Sequence, residues 1–142
     1  METGKMINRI SNRLRRRSKK AQETIGITGA KGNILDYILI ESEKRSVYQK
    51  DIEKEFDLRP STATEVLKNL EKEELIVRVP DKQDGRYKKI VFTKKAEEIR
   101  SVLRREIQRS ESILLRGITG EEQDIFMKIT KKMLENLEQE EL

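Results

Sequence analysis

The stretch Val47–Leu75, VYQKDIEKEFDLRPSTATEVLKNLEKEEL, reads as helix, tight turn, helix. In its second half Ala63, Val66, Leu67 and Leu70 recur at helical spacing and share one side. Ser61, Thr64, Glu65, Lys68 and Asn69 fall outside that stripe, and Thr62 stands beside them near the helix start. Short polar and charged groups of this kind suit hydrogen bonding to base edges and phosphates. An ordinary amphipathic helix with a solvated face fits the same pattern, so the neighbouring segments decide. Upstream, a short helix from Tyr48 to Phe56 turns Ile52 and Phe56 inward, and Asp57 breaks it. Pro60 suits the first turn of the second helix, where its missing N–H has no partner to lose.

After Leu75 the pattern changes to strand. Ile76, Val77 and Val79 are β-formers, Pro80 ends the run, and Asp81 to Arg86 is rich in turn formers, with Asp84-Gly85 the strongest local signal. Tyr87 to Phe92 reads as the returning strand. Residues 78–95 hold seven Lys/Arg against two Asp, so this hairpin is basic. Lys82 and Arg86 fall near its tip, and Lys88 and Lys89 on the returning arm.

The chain has 142 residues, 40% of them charged and 35% hydrophobic. That is poor in apolar side chains for one self-sufficient domain, so exposed helix or burial against a second copy is expected. The net charge of +5 favours an anionic partner. Charge is also uneven. Residues 1–20 carry eight Lys/Arg and one Glu, whereas residues 117–142 carry three Lys and seven Asp/Glu. With no Cys and no His, thiol redox chemistry, disulfides and a Cys/His zinc site are excluded. The commonest general base and the best nucleophile are missing too, and no spacing resembles a nucleophile with its base, so an enzyme is not expected. No cofactor is implied. No apolar run suggests a membrane span or a secretory signal, and a cytoplasmic protein is the default expectation.

The flanks read as helices that need a partner surface. Met6, Ile7, Ile10 and Leu14 form a narrow apolar stripe, followed by the basic run Arg13 to Lys20. That run is either a solvated face or a site for phosphate or a small anionic ligand. Gly26 and Thr28 mark a break, with Thr28 placed to cap a helix that buries Ile34, Leu35, Ile38 and Leu39. From Thr93 to Arg116 the chain is helical again, with Ile99, Leu103, Ile107 and Leu114 on one face. Thr119 to Glu122 is a capping box opening a last helix, on which Ile125, Ile129, Met133 and Leu137 recur every four residues beside Phe126. Such a stripe is not stable alone in water.

A helix pair followed by a basic hairpin is a winged helix-turn-helix. Its second helix is built to enter the major groove, and its hairpin to reach phosphates or the adjacent minor groove. Within that helix Glu65 is the odd member. It can accept from a cytosine amino group or orient Lys68, and the second role is favoured. A winged-helix adaptor that binds protein, with incidental DNA affinity, is the competing class, and the basic wing argues against it.

The run Pro60-Ser61-Thr62 through Leu67 and Leu70 to Glu71–Arg78, then Asp81, Asp84-Gly85-Arg86 and Ile90–Thr93, resembles the MarR family of transcriptional regulators. The resemblance extends over almost the whole chain. It implies a single MarR-like domain over 1–142, mainly α with a small β-hairpin. The winged helix-turn-helix part would span 28–92, with dimerisation helices over 5–22 and 93–142. It further implies a homodimer on a pseudo-palindromic operator in double-stranded DNA, acting as a repressor and released by a small ligand. The recognition helix would contribute Ser61, Thr62, Thr64, Glu65, Lys68 and Asn69, and the wing Lys82, Asp84, Arg86, Lys88 and Lys89. Met6, Ile7, Ile10, Leu14, Ile107, Leu114, Ile125, Phe126, Ile129, Met133 and Leu137 would form the dimer interface. The sequence departs from the family pattern in places. Gly85 stands where a first wing arginine is common, leaving Arg86 alone with Asp84 to orient it. Glu74 stands where Gly commonly precedes the strand. Lacking Cys, the chain has no cysteine-based oxidant sensing.

Overall fold

The structure, a computed structural model, describes residues 1–27, 29–83 and 85–141. In chain order the elements are α1 (Thr3–Thr24), α2 (Ala30–Ser42), α3 (Gln49–Glu55), α4 (Pro60–Lys72), β1 (Ile76–Pro80), β2 (Lys88–Phe92), α5 (Glu97–Leu114) and α6 (Gly120–Glu140). This is the expected fold, a winged helix-turn-helix with helices before and after it. By its packing the chain divides into two units, Met1–Ile107 and Gln108–Leu142.

In the first unit the core gathers around α2, whose Ile34, Leu35, Ile38 and Leu39 are sealed from solvent. Ile52 of α3, Leu67 and Leu70 of α4, Ile76 of β1, Ile90 of β2 and Leu103 of α5 close over them. Every element of the winged part thus spends its apolar stripe on one cluster. Val66 and Ile107 are only partly buried against it.

Three helices end in the same way. After α1 the N–H of Ile27 donates to Gln22 O and that of Gly26 to Glu23 O; after α3, Leu58 donates to Glu53 O and Asp57 to Lys54 O; after α4, Leu75 donates to Leu70 O and Glu74 to Glu71 O. Each is a Schellman closure, which needs a left-handed residue at its corner. The corners are Gly26 (φ 74°), Asp57 (φ 50°) and Glu74 (φ 62°). Each closure turns an apolar residue, Ile27, Leu58 or Leu75, back against the core. The break expected at Asp57 therefore has a mechanism.

Some boundaries differ from the sequence reading. The helix expected from Thr93 begins at Glu97, because Thr93 serves as its anchor: its hydroxyl donates to Glu74 O at 2.5 Å and accepts from Ala96 N at 3.1 Å. The N-cap position of α2 is taken by Gly29, without a side-chain cap; Thr28 lies outside the described residues. Helix α1 packs on α2 at Gly32, where an added Cβ would collide with the Gln22 side-chain amide.

The second unit is dominated by α6. Its capping box is formed, with Glu122 N donating to Thr119 Oγ1 at 3.1 Å and Thr119 N to Glu122 Oε1 at 2.9 Å. No residue of α6 is buried, and Ile125, Phe126, Ile129, Leu134 and Leu137 are all exposed.

Candidate nucleic-acid interface

Helix α4 buries Ala63, Leu67 and Leu70 and leaves Ser61, Thr62, Glu65, Lys68 and Asn69 exposed. Thr64 departs from the expectation that it stays outside. It is half-buried, because Gln49 at the start of α3 donates from Nε2 to its Oγ1 at 2.9 Å. Glu65 and Lys68, which the sequence reading pairs, form no ion pair with each other among the described residues. Both side chains extend into solvent instead.

The wing is an antiparallel pair in the register Ile76↔Phe92, Val77↔Val91, Arg78↔Ile90, Val79↔Lys89 and Pro80↔Lys88. Two contacts fix it to the helix pair. Ile90 N donates to Val47 O at 2.7 Å, so the segment leading into α3 pairs with β2. At the other end the Tyr48 hydroxyl donates to the buried carboxylate of Asp81, which also accepts from Gln83 N at 3.1 Å. The Tyr48 hydrogen bond, followed by that from Gln83, holds the Asp81 carboxyl below the usual carboxylate range.

Beside this anchor the rings of Tyr48 and Tyr87 lie 5.7 Å apart. Lys50 Nζ sits 5.0 Å from the Tyr87 ring centre and 5.6 Å from that of Tyr48. The Arg86 guanidinium lies 5.7 Å from the Tyr87 ring. The start of α3 and the hairpin thus each present a cation over an aromatic face. Lys82, Arg86 and Lys88 are exposed, and Lys89 is half-buried on the returning arm. Asp84, expected to orient Arg86, lies outside the described residues.

Sequence reasoning missed Gln49, Arg78, Tyr48, Lys50 and Asp81 as parts of this face. Arg78 on β1 donates from Nε to Glu71 Oε1 at 3.0 Å and from Nη1 to Gln49 Oε1 at 3.0 Å, tying wing, α4 and α3 together. Arg78 stands inside the quoted family motif, and that was the one signal available for it.

Away from this face, Arg16, Arg17, Lys19 and Lys20 of α1 line a groove of about 510 Å³ with Glu106 of α5, and Glu106 is paired to Arg17 at 3.3 Å. Of the apolar residues expected at a dimer interface, Met6, Ile7, Ile10, Leu114, Ile125, Phe126, Ile129 and Leu137 are exposed, while Leu14, Ile107 and Met133 are half-buried. Among the described residues no helix is long and apolar enough to cross a membrane.

Helix, tight turn, helix and basic wing define a winged helix-turn-helix protein. A model of the MarR family matches residues 25–86, which cover α2 to the wing tip. The chain is 27% identical over 104 residues to the HTH-type transcriptional regulator YybA of Bacillus subtilis (strain 168), covering 73% of this chain and 69% of that one. Among solved structures it is similar to the transcription regulator MarR from Oenococcus oeni PSU-1, with 29% identity and a TM-score of 0.76 over 94% of this chain and 99% of that one. It is also similar to the S. aureus MepR–DNA complex, with 25% identity and a TM-score of 0.69 over 96% of this chain and 98% of that one. The winged part of the chain thus matches the MarR family, and the solved structures it is similar to over nearly its whole length are MarR-family transcriptional regulators.

Proposed function

We propose that this regulator acts as a homodimeric repressor that reads a pseudo-palindromic operator. Each protomer inserts α4 into the major groove and sets its wing along the flanking backbone. The observation that carries this reading is the exposed polar face of α4, braced by Arg78 and Gln49 beside a hairpin bearing Lys82, Arg86 and Lys88. Exposed lysines on a returning strand suit phosphates as point charges, and Arg86 suits a narrow minor groove.

Pairing of two copies follows from the apolar side chains left in solvent. Ile125, Phe126, Ile129 and Leu137 on α6, and Met6, Ile7 and Ile10 on α1, are too many for a monomer's surface. Covering them in an obligate pair would bury more than about 1,000 Å². The domain division that goes with this reading assigns 28–92 to DNA, and 5–22 and 93–142 to pairing. The basic groove lined by Arg16, Arg17, Lys19 and Lys20 suits a small anionic ligand, whose binding would release the DNA.

In vitro selection from a random duplex pool tests the reading. The expected result is a two-fold symmetric consensus with half-sites about one helical turn apart. Binding to it should survive a rise in salt that abolishes binding to unrelated DNA. Retention of a random pool without any consensus would overturn the proposal and favour a protein-binding adaptor.

A further inference from the structure

Gln49 has both ends of its side-chain amide engaged. Its Oε1 accepts from Arg78 Nη1 at 3.0 Å, while its Nε2 donates to Thr64 Oγ1 at 2.9 Å and to Glu53 Oε2 at 3.1 Å, with Pro60 O further off at 3.4 Å. A guanidinium can only donate, so Arg78 dictates which end of the amide is oxygen. Arg78 is itself held by Glu71 through Nε at 3.0 Å. The amide nitrogen therefore faces α4, and an NH₂ group can only donate. It follows that Thr64 Oγ1 accepts from Gln49 and retains its own proton to give.

Inside a helix a threonine commonly gives that proton to the carbonyl four residues back. Thr130 does so in this chain, donating to Phe126 O at 2.8 Å. Thr64 makes no such bond among the described residues; the carbonyl four residues before it, Pro60 O, is approached by Gln49 instead. Thr64 is half-buried on the face whose neighbours Ser61, Glu65 and Lys68 are exposed, so its hydroxyl lies within the proposed reading surface.

We infer that Arg78 and Gln49 set the polarity of Thr64, so that its hydroxyl meets DNA as a hydrogen-bond donor and selects an acceptor. That acceptor is a purine N7, a guanine O6, a thymine O4 or a phosphate oxygen; a cytosine amino group, a donor, would leave the Thr64 proton unused and is disfavoured. The inference rests on the DNA-binding reading of α4. Thr64 is the contacting residue in this scheme, and Gln49 and Arg78 are positioning residues.

The test uses the full chain and the operator recovered by selection, with folding of each variant checked by thermal melting. Thr64→Val removes the hydroxyl at nearly constant volume and is expected to weaken operator binding about fivefold or more, with Thr64→Ser close to wild type. A loss confined to operators carrying one preferred base identifies a base acceptor, and an equal loss on every duplex identifies a phosphate; both support the inference. Gln49→Glu, made together with Glu53→Gln to avoid opposing carboxylates, leaves only an acceptor facing Thr64. The Thr64 proton is then drawn inward, so this variant should bind as weakly as Thr64→Val. Adding Thr64→Val to it should cost little more. Losses that simply add, or a Thr64→Val protein that binds like wild type, overturn the inference while operator selection by the wild type still upholds DNA reading. Should the Gln49 variant fail to fold, equal weakening by Thr64→Val and Thr64→Ser overturns it just as well. A wild-type protein that selects no operator removes both readings together.

Discussion

Asp36 offers a stability change whose sign is fixed by the structure. It lies on α2, where its carboxylate accepts from Gln22 Nε2 of α1 at 3.3 Å, and Glu106 of α5 adds a second negative charge nearby. Burial pushes its pKa from 3.8 to about 6; the Gln22 hydrogen bond opposes this and the Glu106 charge adds to it. The folded state thus holds the proton more tightly than the unfolded chain. Its stability should therefore fall as pH rises from about 4 through about 6, and recover on acidification. A shift of about two units corresponds to about 3 kcal/mol, but Asp36 is only partly buried, and solvent screening reduces the expected effect to on the order of 1 kcal/mol. Asp36→Asn removes the charge and keeps an oxygen for Gln22. In urea denaturation at fixed protein concentration the variant should be the more stable at about pH 7.5, the difference should be roughly halved near about pH 5, and it should vanish only below about pH 4. A variant that is less stable than wild type at both pH values, with the same pH dependence, would refute the argument. The Asp36 charge would then be contributing stability through a partner the geometry does not reveal.

Ile129→Asp places a charge in the exposed apolar stripe of α6; the proposed dimer should dissociate or the chain unfold, read by sedimentation, and a wild-type monomer at micromolar concentration would sink the pairing argument. Glu74 holds a left-handed corner at φ 62° that favours glycine, so Glu74→Gly should stabilise by about 1 kcal/mol and raise the melting temperature by a few degrees. The ion pair to Lys95 that it forfeits is solvent-exposed and contributes little. Arg86→Ala should lower the slope of log K against log salt by about 0.9 and flatten any A·T preference beside the half-site; unchanged affinity and slope would remove the wing from the DNA surface.

What the sequence disclosed and what it hid divide along a physical line. Secondary structure depends on residues three or four apart, so the stripe Ala63, Leu67, Leu70 was readable, as were the turn at Asp57 and the capping box at Thr119. The hairpin was readable for a related reason: its β-formers and turn formers are contiguous. The corner at Glu74 was concealed by its residue type, since a glutamate gives no warning of a positive φ. It surfaced only as a departure from the family pattern, and the Schellman hydrogen bonds from Leu75 and Glu74 supply the reason glycine is favoured there.

The polar braces behave differently because their partners are distant in sequence. Gln49 meets Thr64 across 15 residues, Arg78 meets Gln49 across 29, and Tyr48 meets Asp81 across 33. Periodicity assigns a side chain to a helix face, but it carries no information about which lone pairs and protons its neighbours have already taken. Thr64 is the case in point. Its place on α4 follows from spacing alone, whereas the direction in which its hydroxyl can hydrogen-bond is decided by an arginine on a strand and a glutamine on another helix. Base recognition depends on donor and acceptor order as much as on position. On the proposed reading of α4, its specificity is therefore a property of the folded winged unit, and a change at Gln49 or Arg78 should alter operator choice without touching α4 itself.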